Sequence, residues 1–136
     1  MLKKYLYFAL SAGVFAALVT VVYSYAYESV QKIEGEQLES LRKVIPMSQL
    51  LITPILSCLT ATLGYFSLKK LLPKAGQILF YFSFSTISII SSFAIIFVNG
   101  LHEEVQFIAT GYAMPMHFFP FLSWVTFKAL FLPEQK

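Results

Sequence analysis

Apolar residues run on along this chain in place of alternating with polar ones. Four stretches, residues 5–27, 44–68, 75–99 and 105–127, are predominantly apolar and carry no Asp, Glu, Lys or Arg. A bilayer core of about 30 Å is crossed by about 20 apolar helical residues, so each stretch is long enough to span. The pattern predicts an all-α integral membrane four-helix bundle, with all 136 residues in a single four-span domain. The only sizeable hydrophilic segment is 28–43. In it Val30, Ile33, Leu38 and Leu41 recur at roughly helical spacing among Glu34, Glu36, Glu39 and Arg42, with Gly35 as an interruption. That spacing predicts helical extensions of the first two spans, or a short amphipathic helix on the outer surface. The turn at 69–74 is short, which makes the second and third spans an antiparallel hairpin.

Polar and small residues inside the runs then suggest how the helices meet. Ala9, Gly13 and Ala17 form one stripe of small residues on the first span, beside Ala12, Ala16, Thr20 and Ser24. Membrane helices associate by close backbone approach where side chains are small, so this face is expected to pack on another helix, within the chain or in a second copy. Pro54 lies well inside the second span, where it lacks a backbone donor and clashes with the Leu50 carbonyl; a kink is expected there. Ser48, Gln49, Thr53, Ser57 and Thr60 are near enough to re-satisfy the freed backbone groups. In the third span Tyr81, Ser85, Ser88, Ser92 and Asn99 form a polar stripe that is expected to face the interior. The fourth span holds Pro115 and Pro120, both expected to kink it, and between them His117.

Composition agrees with the pattern. Hydrophobic residues make up 57% of the chain and charged residues 12%, about half the charged share of a soluble domain. The net charge of +3 comes from residues scattered over ends and loops, with no basic face, so nucleic acid is not an expected partner. Their distribution predicts orientation instead. With the N-terminus inside, Lys3, Lys4, Lys69, Lys70, Lys74, Lys128 and Lys136 are cytoplasmic, and Lys32, Arg42 and Lys43 are not. Both ends are therefore expected in the cytoplasm. Trp124 and Lys128 are expected at the inner interface, the lysine snorkelling to headgroups. The first run also has the basic start and the small residues (Ser24, Ala26) of a secretory signal, but its apolar part is longer than a signal's, so it is read as an uncleaved span. A lone cysteine, Cys58, excludes an intramolecular disulfide and paired thiol redox chemistry.

His117 is the one ionisable side chain expected near the bilayer midplane, with Ser57, Cys58, Ser85 and Ser88 at similar depth. An intramembrane ionisable residue is a functional-site hypothesis. Two readings stay open. His117 either bridges to Ser88 or Ser57 and fixes helix register, or binds a ligand or a proton together with them. Pro115 and Pro120 free the carbonyls of Gly111 and Met116, which could orient an imidazole or a ligand. No metal or cofactor is expected. His102 is fifteen residues from His117, about 22 Å along a helix, too far for both to ligate one haem. Cys58 and Met116 have no spacing that fixes a metal geometry with His117. No nucleophile–base pair or carboxylate dyad shares a depth, so no enzyme is expected.

Through Met116-His117 within Pro-Met-His-Phe-Phe-Pro (115–120), and through its hydropathy, the chain resembles small four-span bacterial membrane proteins of unknown function. The resemblance implies a four-helix fold in a bacterial inner membrane and no activity. Small multidrug transporters share the size, but their carboxylate in the first span is missing here. The expectation is a non-enzymatic membrane-embedded binding or accessory subunit, with the lipid bilayer and a second copy or a membrane protein as partners. The alternative is a small dimeric transporter or channel with a polar route past Ser57, Ser88 and His117.

Overall fold

The computed structural model describes residues 2–97 and 103–132; Asn99, His102 and Lys136 lie outside the described residues. The elements are α1 (Leu2–Gln31), α2 (Gly35–Val44), α3 (Met47–Leu71), α4 (Gly76–Ser92), a 3-10 turn (Ala94–Phe97), α5 (Glu103–Met116) and α6 (Phe119–Phe131), with no strand among the described residues. Two stretches, Lys3–Gln31 and Gly35–Leu71, are long and apolar enough to cross a membrane.

The third and fourth apolar runs differ from expectation, since neither is one long helix. α4 has 17 residues, about 26 Å at the rise of a helix, before the chain tightens into the 3-10 turn. The fourth run breaks at His117 and Phe118 into helices of 14 and 13 residues. Proline explains the break. Pro120 has no N–H to offer the Met116 carbonyl, and the chain takes a tighter turn in which Phe118 N bonds Pro115 O at 3.1 Å. Pro120 then sits in the first turn of α6, where a missing donor costs nothing. Pro115 and Pro54 lie inside α5 and α3, which run through them without a break.

The hydrophilic segment falls between its two expected forms: α1 extends to Gln31, the second apolar run gains no such extension, and α2 is a separate helix. Between them Lys32 adopts a left-handed conformation with φ 51°. Ile33 N reaches back to Glu28 O at 3.0 Å, the long bond that closes a helix C-terminus around such a residue. Ile33 is buried, as is Leu41 on the apolar side of α2.

α1 packs mainly on α3 and α6. Gly13 is the point of closest approach to α3, because a Cβ there would stand 2.8 Å from Ile55 Cα. Ala9 and Ala17 are buried as well, so the small-residue stripe is used up inside the chain and offers no surface to a second copy. The α3–α4 hairpin is equally tight at its turn: a Cβ on Gly76 would lie 2.3 Å from Leu68 O. Near that turn Tyr65 meets Phe80 (ring centroids 5.3 Å), Phe8 meets Trp124 (5.2 Å) and Tyr5 meets Phe66 (5.6 Å). The start of α1, the hairpin turn and the end of α6 therefore share one end of the molecule, and α2 lies at the other.

Two apolar cores result. One, at the hairpin end, contains Phe8, Cys58, Tyr65, Phe80 and Trp124. The other, at the α2 end, contains Ile33, Leu41, Leu50, Tyr112 and Met116. Trp124 departs from its expected interfacial place: it is fully buried, and its indole N–H donates to Thr62 Oγ1 at 2.9 Å. Lys128 departs too. It is 6% exposed, and its ammonium lies 5.6 Å and 5.5 Å from the ring centroids of Tyr65 and Tyr81. In both cases the hairpin closes over a side chain that hydropathy alone leaves at the edge.

Candidate functional site

Between the two cores lies a cavity of about 350 Å³. Ser57 of α3, Ser88 of α4 and His117 at the α5–α6 break all line it. The three residues thus meet although they are distant in sequence, because the cores on either side fix the relative rotation of their helices. α3 contributes more than Ser57. Gln49 and Thr53 precede it at four-residue steps and line the same space, so one polar stripe runs down the wall. The sequence reading gave Gln49 and Thr53 to the backbone around Pro54; their equal spacing with Ser57 was the signal for a shared face.

Hydrogen bonding distinguishes these groups from their neighbours. Thr20 Oγ1 and Ser91 Oγ, also on the cavity, donate to their own helices, at Ala16 O (2.8 Å) and Ser88 O (3.1 Å). The side chains of Gln49, Thr53, Ser57, Ser88 and His117 make no hydrogen bond to another described residue. No described side-chain nitrogen or oxygen is both buried and unpartnered, so the polar atoms of these five keep accessible surface. Ser88 does so while only 4% exposed, its surface lying on the cavity. The bridge from His117 to Ser57 or Ser88 that would make the histidine a register pin is not formed.

The freed carbonyls part company. Tyr23 Oη donates to Gly111 O at 2.9 Å, so the acceptor released by Pro115 is already taken. Cys58 is fully buried, with its thiol 3.6 Å from Pro120 O, and does not line the cavity. Met116 does line it, beside His117. Among the described residues no three His, Cys, Asp or Glu side chains converge as metal ligands would.

A second polar cluster, which the sequence reading missed, joins α1, α2 and α5 at the α2 end. Arg42 pairs with Glu28 through Nη2 and donates from Nη1 to Tyr112 Oη at 2.9 Å; that hydroxyl donates to Glu28 Oε1 at 3.0 Å. Each member satisfies the other two, which is the condition under which buried charge is tolerated. Glu28 and Arg42 read as loop charges, and nothing local in the sequence links either to Tyr112.

The chain is thus an all-helical protein with a mostly apolar cavity lined by hydroxyl, amide and imidazole groups that make no hydrogen bond to another described residue. Comparison with protein-family models, with curated proteins and with solved structures gave no match.

Proposed function

We propose that this chain is a non-enzymatic, four-span protein of the bacterial inner membrane, both termini cytoplasmic, acting as a membrane-embedded binding or accessory subunit. The observation that carries the binding part is the cavity in which Ser57, Ser88 and His117 meet without partners. A bound molecule that pairs with these accessible groups gains hydrogen bonds that the described side chains do not make among themselves, about 0.5–1.5 kcal/mol net each. The membrane part draws support from the surface. Leu6, Leu10, Val14, Leu18 and Val22 follow one another at four-residue steps along α1, and all are exposed. A continuous apolar row of this length is unfavourable in water and suits hydrocarbon. α4, with the 3-10 turn after it, and the α5–α6 pair are read as the third and fourth crossings. Non-helical backbone at depth is tolerated where protein buries it or where it lines a cavity, and the α5–α6 break lines one.

The test is native mass spectrometry of protein released from membranes in mild detergent, wild type beside His117→Ala. The expected result is a bound mass on the wild type that the variant loses while keeping the same oligomeric state. Identical, ligand-free spectra from both would overturn the binding reading.

One observation favours a second reading, a small transporter or channel. Interrupted helices facing a mid-membrane site are the hallmark of many secondary transporters, and here the interruption falls on His117. On that reading His117→Ala abolishes flux in reconstituted vesicles while assembly is unchanged.

A further inference from the structure

The shape and chemistry of the cavity define the class of molecule it takes, and this step rests on the membrane and binding readings above. α3 and α4 touch closely at the hairpin turn, through Gly76 on the Leu68 backbone and Tyr65 on Phe80. Away from the turn they part. The far end of α4 is drawn toward α5, where Gln106 Nε2 donates to Ile96 O at 2.6 Å. The cavity occupies the resulting wedge, with residues 49–57 of α3 on one wall and, on the other, residues 84–91 of α4 and Ala94 of the 3-10 turn.

The wedge opens sideways. Gln49 and Thr53 on one rim, and Ile87 and Ala94 on the other, line the cavity and are exposed. The surface next to them is apolar, with Ile52, Leu56 and Ile90 all exposed. The end that faces α2 is walled by Val44 and Ile45. These follow Arg42, which the pairing with Glu28 and Tyr112 holds in place. The opening therefore lies along a helix seam, where on the membrane reading the solvent is hydrocarbon, and apolar side chains stand at the end toward α2.

Among the described residues the lining holds no Asp, Glu, Lys or Arg, and His117 is its only titratable group. A charged headgroup would lose its water there and gain no counter-charge, a large cost. An uncharged group that donates or accepts hydrogen bonds loses little and gains Ser57, Ser88 and His117. At about 350 Å³ the space is near the lower limit for a ligand pocket, enough for a polar head and a short length of chain. The remainder would lie outside the seam.

We infer that the α3–α4 wedge is a side-opening site for an uncharged lipid, whose hydroxyl or carbonyl head meets Ser57, Ser88 and His117 while its hydrocarbon tail leaves past Thr53 and Ile87 into the bilayer.

The test uses two photoactivatable probes with identical diazirine-bearing chains, a long-chain alcohol and the matching carboxylic acid, added to the full chain in phosphatidylcholine nanodiscs at neutral pH. The alcohol is expected to label residues 49–57 and 84–91 preferentially. Its labelling there is expected to fall about tenfold in Ser88→Leu, the equivalent of one good hydrogen bond to a buried partner. Thr53→Phe, at the exposed rim, is expected to reduce labelling similarly by obstructing the seam, and it keeps the test informative if Ser88→Leu fails to fold. The acid is expected to label the wedge several-fold less than the alcohol. Uniform labelling of every exposed apolar helix face, unchanged in both variants, would mean bulk lipid contact and overturn the proposal. Equal labelling of the wedge by acid and alcohol would overturn the uncharged class. Failure of the underlying readings looks different: the protein leaves the membrane on alkaline carbonate extraction, or carries no mass that depends on His117. A protein that stays in the membrane and carries a water-soluble mass dependent on His117 keeps the binding reading and sinks the lipid.

Discussion

Tyr23 and Pro115 show how single residues are balanced here across 92 positions of chain. Pro115 cannot donate to the Gly111 carbonyl, and the Tyr23 hydroxyl does so from α1 at 2.9 Å. The two substitutions are therefore coupled. Tyr23→Phe is expected to lower stability by about 1–2 kcal/mol, because it orphans a partly buried acceptor. In a Pro115→Ala background the helix supplies its own donor, and the same change is expected to cost clearly less. Thermal unfolding of the four variants in detergent reads the cycle; strict additivity would show that the Tyr23 bond does not stand in for the donor Pro115 lacks. At this scale the sequence displayed the prolines and the carbonyls they free. It could not show which hydroxyl reaches them, since Tyr23 and Tyr27 look alike along the chain, and Tyr27 bonds Ile108 O instead.

Helices follow the sequence where local energies agree and depart from it where one residue overrules the rest. The run at 105–127 is apolar enough for a single helix, yet Pro120 divides it at His117 and Phe118. Hydropathy sums over a window and does not register one missing N–H. The contact of α1 with α3 is a matter of single atoms as well. Gly13→Leu drives a branched side chain into the Ile55 backbone, where a Cβ alone would be at 2.8 Å. The expected result is a loss of about 1–3 kcal/mol from overpacking, measured as a lower unfolding midpoint, with any oligomer formed by the surviving protein unchanged. An intact midpoint accompanied by loss of an oligomer would return this stripe to an intermolecular role.

For the molecule as a whole, the proposed topology turns on which residues share each end. Lys3, Lys4, Lys69, Lys70 and Lys74 gather at the hairpin end, and α2, in which Glu36 and Glu39 balance Arg42 and Lys43, lies opposite. An inside-positive orientation therefore predicts that Glu36→Cys is labelled by a membrane-impermeant maleimide added to intact cells. Lys70→Cys is expected to be labelled only after the membrane is opened. The native thiol, Cys58, is fully buried and is expected to stay unlabelled in both. The reverse pattern would invert the protein, and labelling of both sites from outside would remove the crossings between them.

The sequence by itself determined that the chain is helical and carries long apolar runs, because composition and the length of an apolar run act locally and need no partner. It also singled out His117, Ser57 and Ser88, since polar groups in such runs are costly enough to stand out. Only the tertiary structure decided that these three border one cavity and lack bonds to one another, that Trp124 and Lys128 turn inward, and that Arg42 ties Glu28 to Tyr112. Those outcomes depend on the rotation and tilt of whole helices. Contacts between residues tens of positions apart, Gly13 on Ile55 and Gly76 on Leu68 among them, set that rotation, and no local pattern encodes it.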